Sequence, residues 1–143
     1  METDQRYKVL FYVGCAWNFV IATTLFVLTG SLPAMIGIEA PRYPLFIHFN
    51  LISIYCFGFM QWIIARDPRG HRSFVKLLMW AKLSMGAAVL DSMVVDPPAW
   101  ALIGFLAPGI VVDVLFGLMF WRFLVYARPQ SPLKPESLHP VAV

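Results

Sequence analysis

Charge is scarce in this chain. Only 13% of its 143 residues are Asp, Glu, Lys or Arg, about half the usual soluble share of roughly 25%. Cysteine is scarcer still. Cys15 and Cys56 both lie inside apolar stretches, with no CxxC and no metal-ligand spacing, so a disulfide framework and a thiolate metal site are both excluded. Three histidines are scattered along the chain. No His cluster and no Ser/His/Asp set stands out, so the sequence predicts neither an enzyme nor a cofactor, and His48 alone is too little for haem or metal.

What is present is hydrophobicity: 59% of residues are apolar and the mean hydropathy is +0.71. The charges cluster and leave four long apolar stretches. A bilayer span needs about 20 apolar residues. Four spans with short connections use up the chain, and no room remains for a separate soluble domain. The predicted spans are 9–29, 44–65, 73–95 and 99–126, forming one membrane domain over 1–128. The remainder, 129–143, contains Pro129, Pro132, Pro135 and Pro140 and reads as a Pro-rich tail without a fold of its own. The first stretch is too long for a signal-peptide core and lacks an A-x-A-like cleavage site, so it reads as an uncleaved span.

Turn chemistry separates the spans. Gly30, Ser31 and Pro33 end the first. The connector from Leu32 to Tyr43 carries Leu32, Met35, Ile36 and Ile38, which predicts that it lies on the bilayer surface. Pro44 suits a first helical turn. Arg66-Asp67-Pro68-Arg69-Gly70-His71-Arg72 breaks the chain between spans two and three, and Ser73 is a candidate N-cap. Asp96-Pro97-Pro98 makes a tight turn before the last span. There, Pro108-Gly109 is expected to bend the helix by removing a backbone hydrogen bond.

The net charge of +3 does not point to nucleic acid, because the basic residues sit at span ends, where they set topology. Arg6, Lys8, Arg66, Arg69, Arg72, Lys76, Arg122, Arg128 and Lys134 fall on one side. Only Arg42 falls on the other. The positive-inside rule therefore predicts both termini and the middle loop on the cytoplasmic side of the membrane. Trp62 and Trp121 at the inner boundary, with Tyr43 and Trp100 at the outer one, fit aromatic belts.

The remaining charges are the informative ones. Lys82 lies ten residues past Arg72, and Asp113 lies nine before Arg122. At about 1.5 Å per residue, both reach roughly 14–15 Å, near the bilayer midplane. They are also equidistant from the Pro97-Pro98 turn, so in an antiparallel hairpin they face each other. An unpaired charge at mid-bilayer costs about 2.5–3.5 kcal/mol on insertion scales. A direct ion pair is the expected solution. Asn18 and Tyr55 sit at a similar counted depth and complete a candidate buried polar layer of Asn18, Tyr55, Lys82 and Asp113. Gly14, Gly86 and Gly109 each lie four positions from one of its members and are expected to bring helices close. A second candidate group, His48, Asn50 and Asp91, lies near the outer ends of spans two and three. Asp91 is nine positions from Lys82, about half a turn around a helix, so the two cannot both face one narrow core.

The runs Gly14-Cys15-Ala16-Trp17-Asn18, Ala65-Arg66-Asp67-Pro68 and Ala81-Lys82-Leu83 resemble a group of small bacterial four-helix membrane proteins similar to the DoxX-like proteins. The resemblance covers spans one to three. It implies a four-span bundle with a lysine in span three, and it implies no substrate. The expected fold is an all-α four-helix transmembrane bundle, oligomeric or bound to other membrane subunits. Two roles remain open. One is an accessory or interaction subunit in which the ion pair is a staple. The other is a carrier of a small solute or proton with Lys82 and Asp113 as its site.

Overall fold

The computed structural model describes residues 2–37, 39, 44–95 and 100–128. The expected Asp96-Pro97-Pro98 turn, Ile38, Arg42 and Tyr43 of the connector, and the Pro-rich tail lie outside the described residues. Five helices follow one another: α1 (Glu2–Leu28), α2 (Leu32–Ile36), α3 (Pro44–Arg66), α4 (Arg72–Val95) and α5 (Trp100–Tyr126). Four of them are long and apolar enough to cross a membrane, and α2 is a single short turn. The fold is the all-α, four-span bundle expected from hydropathy.

Local chemistry accounts for the joints. α2 starts with Pro33 in its first turn and stops at Gly37, whose φ of 71° is the left-handed conformation that glycine adopts without strain. The connector predicted to lie on the surface therefore contains a helical turn. Between α3 and α4, the Asp67 carboxylate accepts the Gly70 N–H at 3.0 Å, and the His71 N–H reaches the Asp67 carbonyl at 3.3 Å. The chain is already helical at Arg72, so Ser73 is not the cap. The position before the helix is His71, whose carbonyl accepts the Val75 N–H at 3.1 Å, and the Asp67 turn closes the loop just ahead of it. A side chain at Gly70 would collide with the Asp67 carboxylate.

Packing divides the bundle into two helix pairs. α1 lies along α3, and α4 lies along α5, while α3 and α4 hardly meet. The pairs are joined at the end that carries the 66–72 loop. There Phe11 stacks on Phe120 at 5.1 Å and meets Phe123 edge-on at 5.6 Å. Ile64, Val75 and Leu78 fill the space around them and are fully buried. This core is apolar and rich in aromatic rings, and it occupies one half of the bundle's length.

Polar contacts reinforce that end. Arg69 donates to the Asp4 carboxylate at 3.0 and 3.2 Å and to the Tyr126 hydroxyl at 3.1 Å, and that hydroxyl donates to Asp4 at 3.2 Å. The hydrogen-bonded Asp4 carboxylate holds the Arg69 guanidinium above its ordinary pKa. Arg72 donates to the Leu124 carbonyl at 2.9 Å, tying the start of α4 to the end of α5.

Candidate functional site

The bundle's middle carries the only buried charge pair among the described residues. Lys82 projects inward from α4 because its neighbours one turn away, Leu78 and Gly86, also face the core. Its ammonium donates to the Asp113 carboxylate of α5 at 2.6 Å and to the Asn18 carbonyl oxygen of α1 at 2.9 Å. Lys82 is 7% exposed and Asp113 21%. Asn18, itself buried, passes the chain on: its N–H donates to the Gln61 Oε1 of α3 at 3.2 Å. Each spanning helix thus contributes one side chain to a single hydrogen-bonded string, Asp113–Lys82–Asn18–Gln61.

Magnitudes rank the links. A hydrogen bond between transmembrane helices averages about 0.6 kcal/mol. Leaving one buried charge without its partner costs about 3–5 kcal/mol. The ion pair dominates the layer's energetics, and the two amides orient the ammonium from the other side.

Gln61 was not among the residues singled out by depth counting. Its Oε1 would lie 2.8 Å from a Cβ on Gly14, so the Gln61 amide occupies the space left because residue 14 has no side chain. Gln61 Nε2 is buried without a hydrogen-bond partner. Tyr55, by contrast, is not part of this layer. Its hydroxyl pairs with the Thr23 hydroxyl at 2.8 Å, further along α1 and α3. The reason is register. Lys8 and Arg66 do not lie at one level, so Asn18, ten residues past Lys8, meets Gln61 rather than Tyr55, eleven before Arg66.

The outer group does not assemble. His48 is half-buried against Phe26, ring to ring at 5.7 Å. Asp91 is exposed, and among the described residues no hydrogen bond or ion pair joins it to His48. With Lys82 turned inward, helical geometry turns Asp91 outward. Asn50 lies apart from both, on the wall of a cavity.

That cavity has a volume of about 470 Å³ and lies beyond the polar layer, in the half of the bundle away from the aromatic core. Ile21, Met85 and Ile110 line it, each three positions from Asn18, Lys82 or Asp113. Its floor is therefore one helical turn from the ion pair. Gly109 also lines it, and a Cβ placed there would meet nothing within 4 Å. The close helix contact expected at Gly109 is replaced by open space. Gly86 does make one: a Cβ there would lie 2.8 Å from Val114.

Among the described residues no group of His, Cys, Asp and Glu has the arrangement to hold a metal ion. No known protein family matches the sequence, and neither a curated protein nor a solved structure does.

Proposed function

We propose that the chain is an interaction subunit of a bacterial inner membrane, with both termini cytoplasmic, that docks another transmembrane helix through α4. The observation that carries this reading is Trp80. It is 57% exposed and faces away from the bundle. It lies two residues from Lys82, so it is near the level of the buried layer and far from the interfacial zones where Trp is enriched. Its indole N–H has no hydrogen-bond partner among the described residues. Lipid tails supply no acceptor at that depth. A partner helix with a small residue opposite Trp80 and a free carbonyl or hydroxyl supplies both a pocket and an acceptor. Leu77, exposed and three positions away, extends the same face. In this reading Lys82 and Asp113 lock the register of the helices that present Trp80.

The test is a photoreactive benzophenone amino acid at position 80, with cross-linking in native membranes. A discrete adduct, with either a second copy or a different membrane protein, is the expected result. Trp80→Ala should abolish that association in lipid particles while leaving the thermal midpoint of the bundle unchanged. Cross-linking to lipid alone would overturn the reading.

A second reading, a carrier, draws support from the cavity that ends one turn from the ion pair and from the residual exposure of Asp113. Under it, the double variant Lys82→Met/Asp113→Leu folds but loses solute or proton flux in proteoliposomes.

A further inference from the structure

The cavity is a feature that a tightly packed bundle does not need. Its volume of about 470 Å³ falls within the roughly 300–1,000 Å³ typical of small-molecule sites. Its origin is local. α3 and α4 barely touch, and Gly109, following Pro108 inside α5, leaves the opposite wall without a side chain. α2 closes the far end: Leu32, Pro33 and Ile36 all line the cavity.

The lining chemistry selects the occupant. Leu25, Ile47, Ile54, Val89 and Leu106 are aliphatic, and among the described residues Phe105 is the single aromatic on the wall. Flat rings are held by facing aromatic side chains, and the described residues of the lining include no such pair. Among the described residues, polar groups on the wall are confined to Thr29, Glu39 and Asn50. The Thr29 hydroxyl is already committed to the Leu25 carbonyl at 2.7 Å. The Asn50 amide has no hydrogen-bond partner among the described residues, and in hydrocarbon such a group is costly. The cavity is half open to the surroundings of the bundle, and its apolar lining favours apolar guests.

We propose that this cavity binds one flexible aliphatic chain of an amphiphilic lipid, with the lipid's polar end at Asn50 and Glu39. The chain lies between the α1–α3 and α4–α5 pairs and ends above Lys82 and Asp113. The interior wall meets its methylenes with branched aliphatic side chains, and the Asn50 amide meets an ester or hydroxyl at the head. This inference is independent of how Trp80 is used.

The experiment uses the full chain in lipid nanodiscs with two probes: phosphatidylcholine carrying a diazirine on its acyl chain, and a free fatty acid carrying the same diazirine. After irradiation, labelled residues are mapped by peptide mass spectrometry. The expected result is labelling of Leu25, Met85 and Ile110 above the level at outward-facing Val27 and Val94. Labelling by either probe supports the proposal, and the stronger one identifies the source of the chain. Gly109→Leu places a Cβ where nothing lies within 4 Å, directs its branched end into the cavity, and should lower labelling at the cavity residues about tenfold, with Val27 and Val94 unchanged. Val89→Phe should act the same way from α4, so a folding defect in one variant does not decide the matter. Equal labelling of cavity and outward-facing residues in the parent chain, or cavity labelling that neither variant reduces, would falsify the proposal.

Discussion

At the scale of single residues, Lys82 matters most. Its ammonium sits 2.6 Å from Asp113 and 2.9 Å from Asn18, so its charge is compensated on α5 and oriented from α1. Lys82→Met alone leaves the Asp113 carboxylate buried without a partner, and Asp113→Leu alone does the same to the ammonium. Each should destabilise the bundle by about 3–5 kcal/mol, read from unfolding in mixed micelles. The double variant should recover most of that loss, because a well-packed apolar pair can replace a buried ion pair at little net cost. Additive losses in the double variant would show that the two charges act separately. This pair was legible in the sequence because Pro97-Pro98 gives an unambiguous origin for counting. Gln61 was not. It lies only five residues from Arg66, shallow by depth counting, and it joins the layer through the gap left by Gly14. The signal that points to it is a glycine on the facing helix, which is visible only once the register of α1 and α3 is known.

At the scale of elements, the two helix pairs differ in how they are specified. α4 and α5 are joined by four residues, so equal distance from the turn predicts facing positions. α1 and α3 are separated by fifteen residues that include α2, and no such count applies. Tyr55 was misassigned for that reason and pairs with Thr23 instead. What ties α1 to the loop is polar: Asp4, Arg69 and Tyr126 bond one another across three segments. All three are exposed, so the clip is sensitive to screening. Arg69→Ala should lower the thermal midpoint measured in low salt and leave helical content unchanged. Raising ionic strength should shrink the difference between parent and variant. An effect of equal size at high salt would mean that Arg69 acts through packing on the Tyr126 ring, 5.2 Å from its guanidinium carbon.

At the scale of the molecule, the bundle is stitched at one end by aromatic rings, crossed at its middle by a polar string, and open at the other end around a lipophilic cavity. Hydropathy made the four helices legible, because span length and composition are set by the bilayer. The cavity was not legible, because it is a volume left between helices rather than a pattern along one of them. The Lys82–Asp113 pair has a further consequence for how the chain is made. Helices enter the bilayer from the translocon in sequence, and a lysine at mid-span opposes entry by about 2.5–3.5 kcal/mol. α4 reaches the translocon before Asp113 of α5 does, so alone it carries that penalty uncompensated. The second helix pair should therefore partition into lipid as one unit, with Asp113 neutralising Lys82 during biogenesis. A chain truncated after Val95 should integrate α4 poorly in a glycosylation-reporter assay. Lys82→Leu in the truncated chain should restore integration, and so should extending the chain through Tyr126. The same ion pair that fixes helix register in the finished protein then also sets the earliest moment at which its second half can leave the translocon.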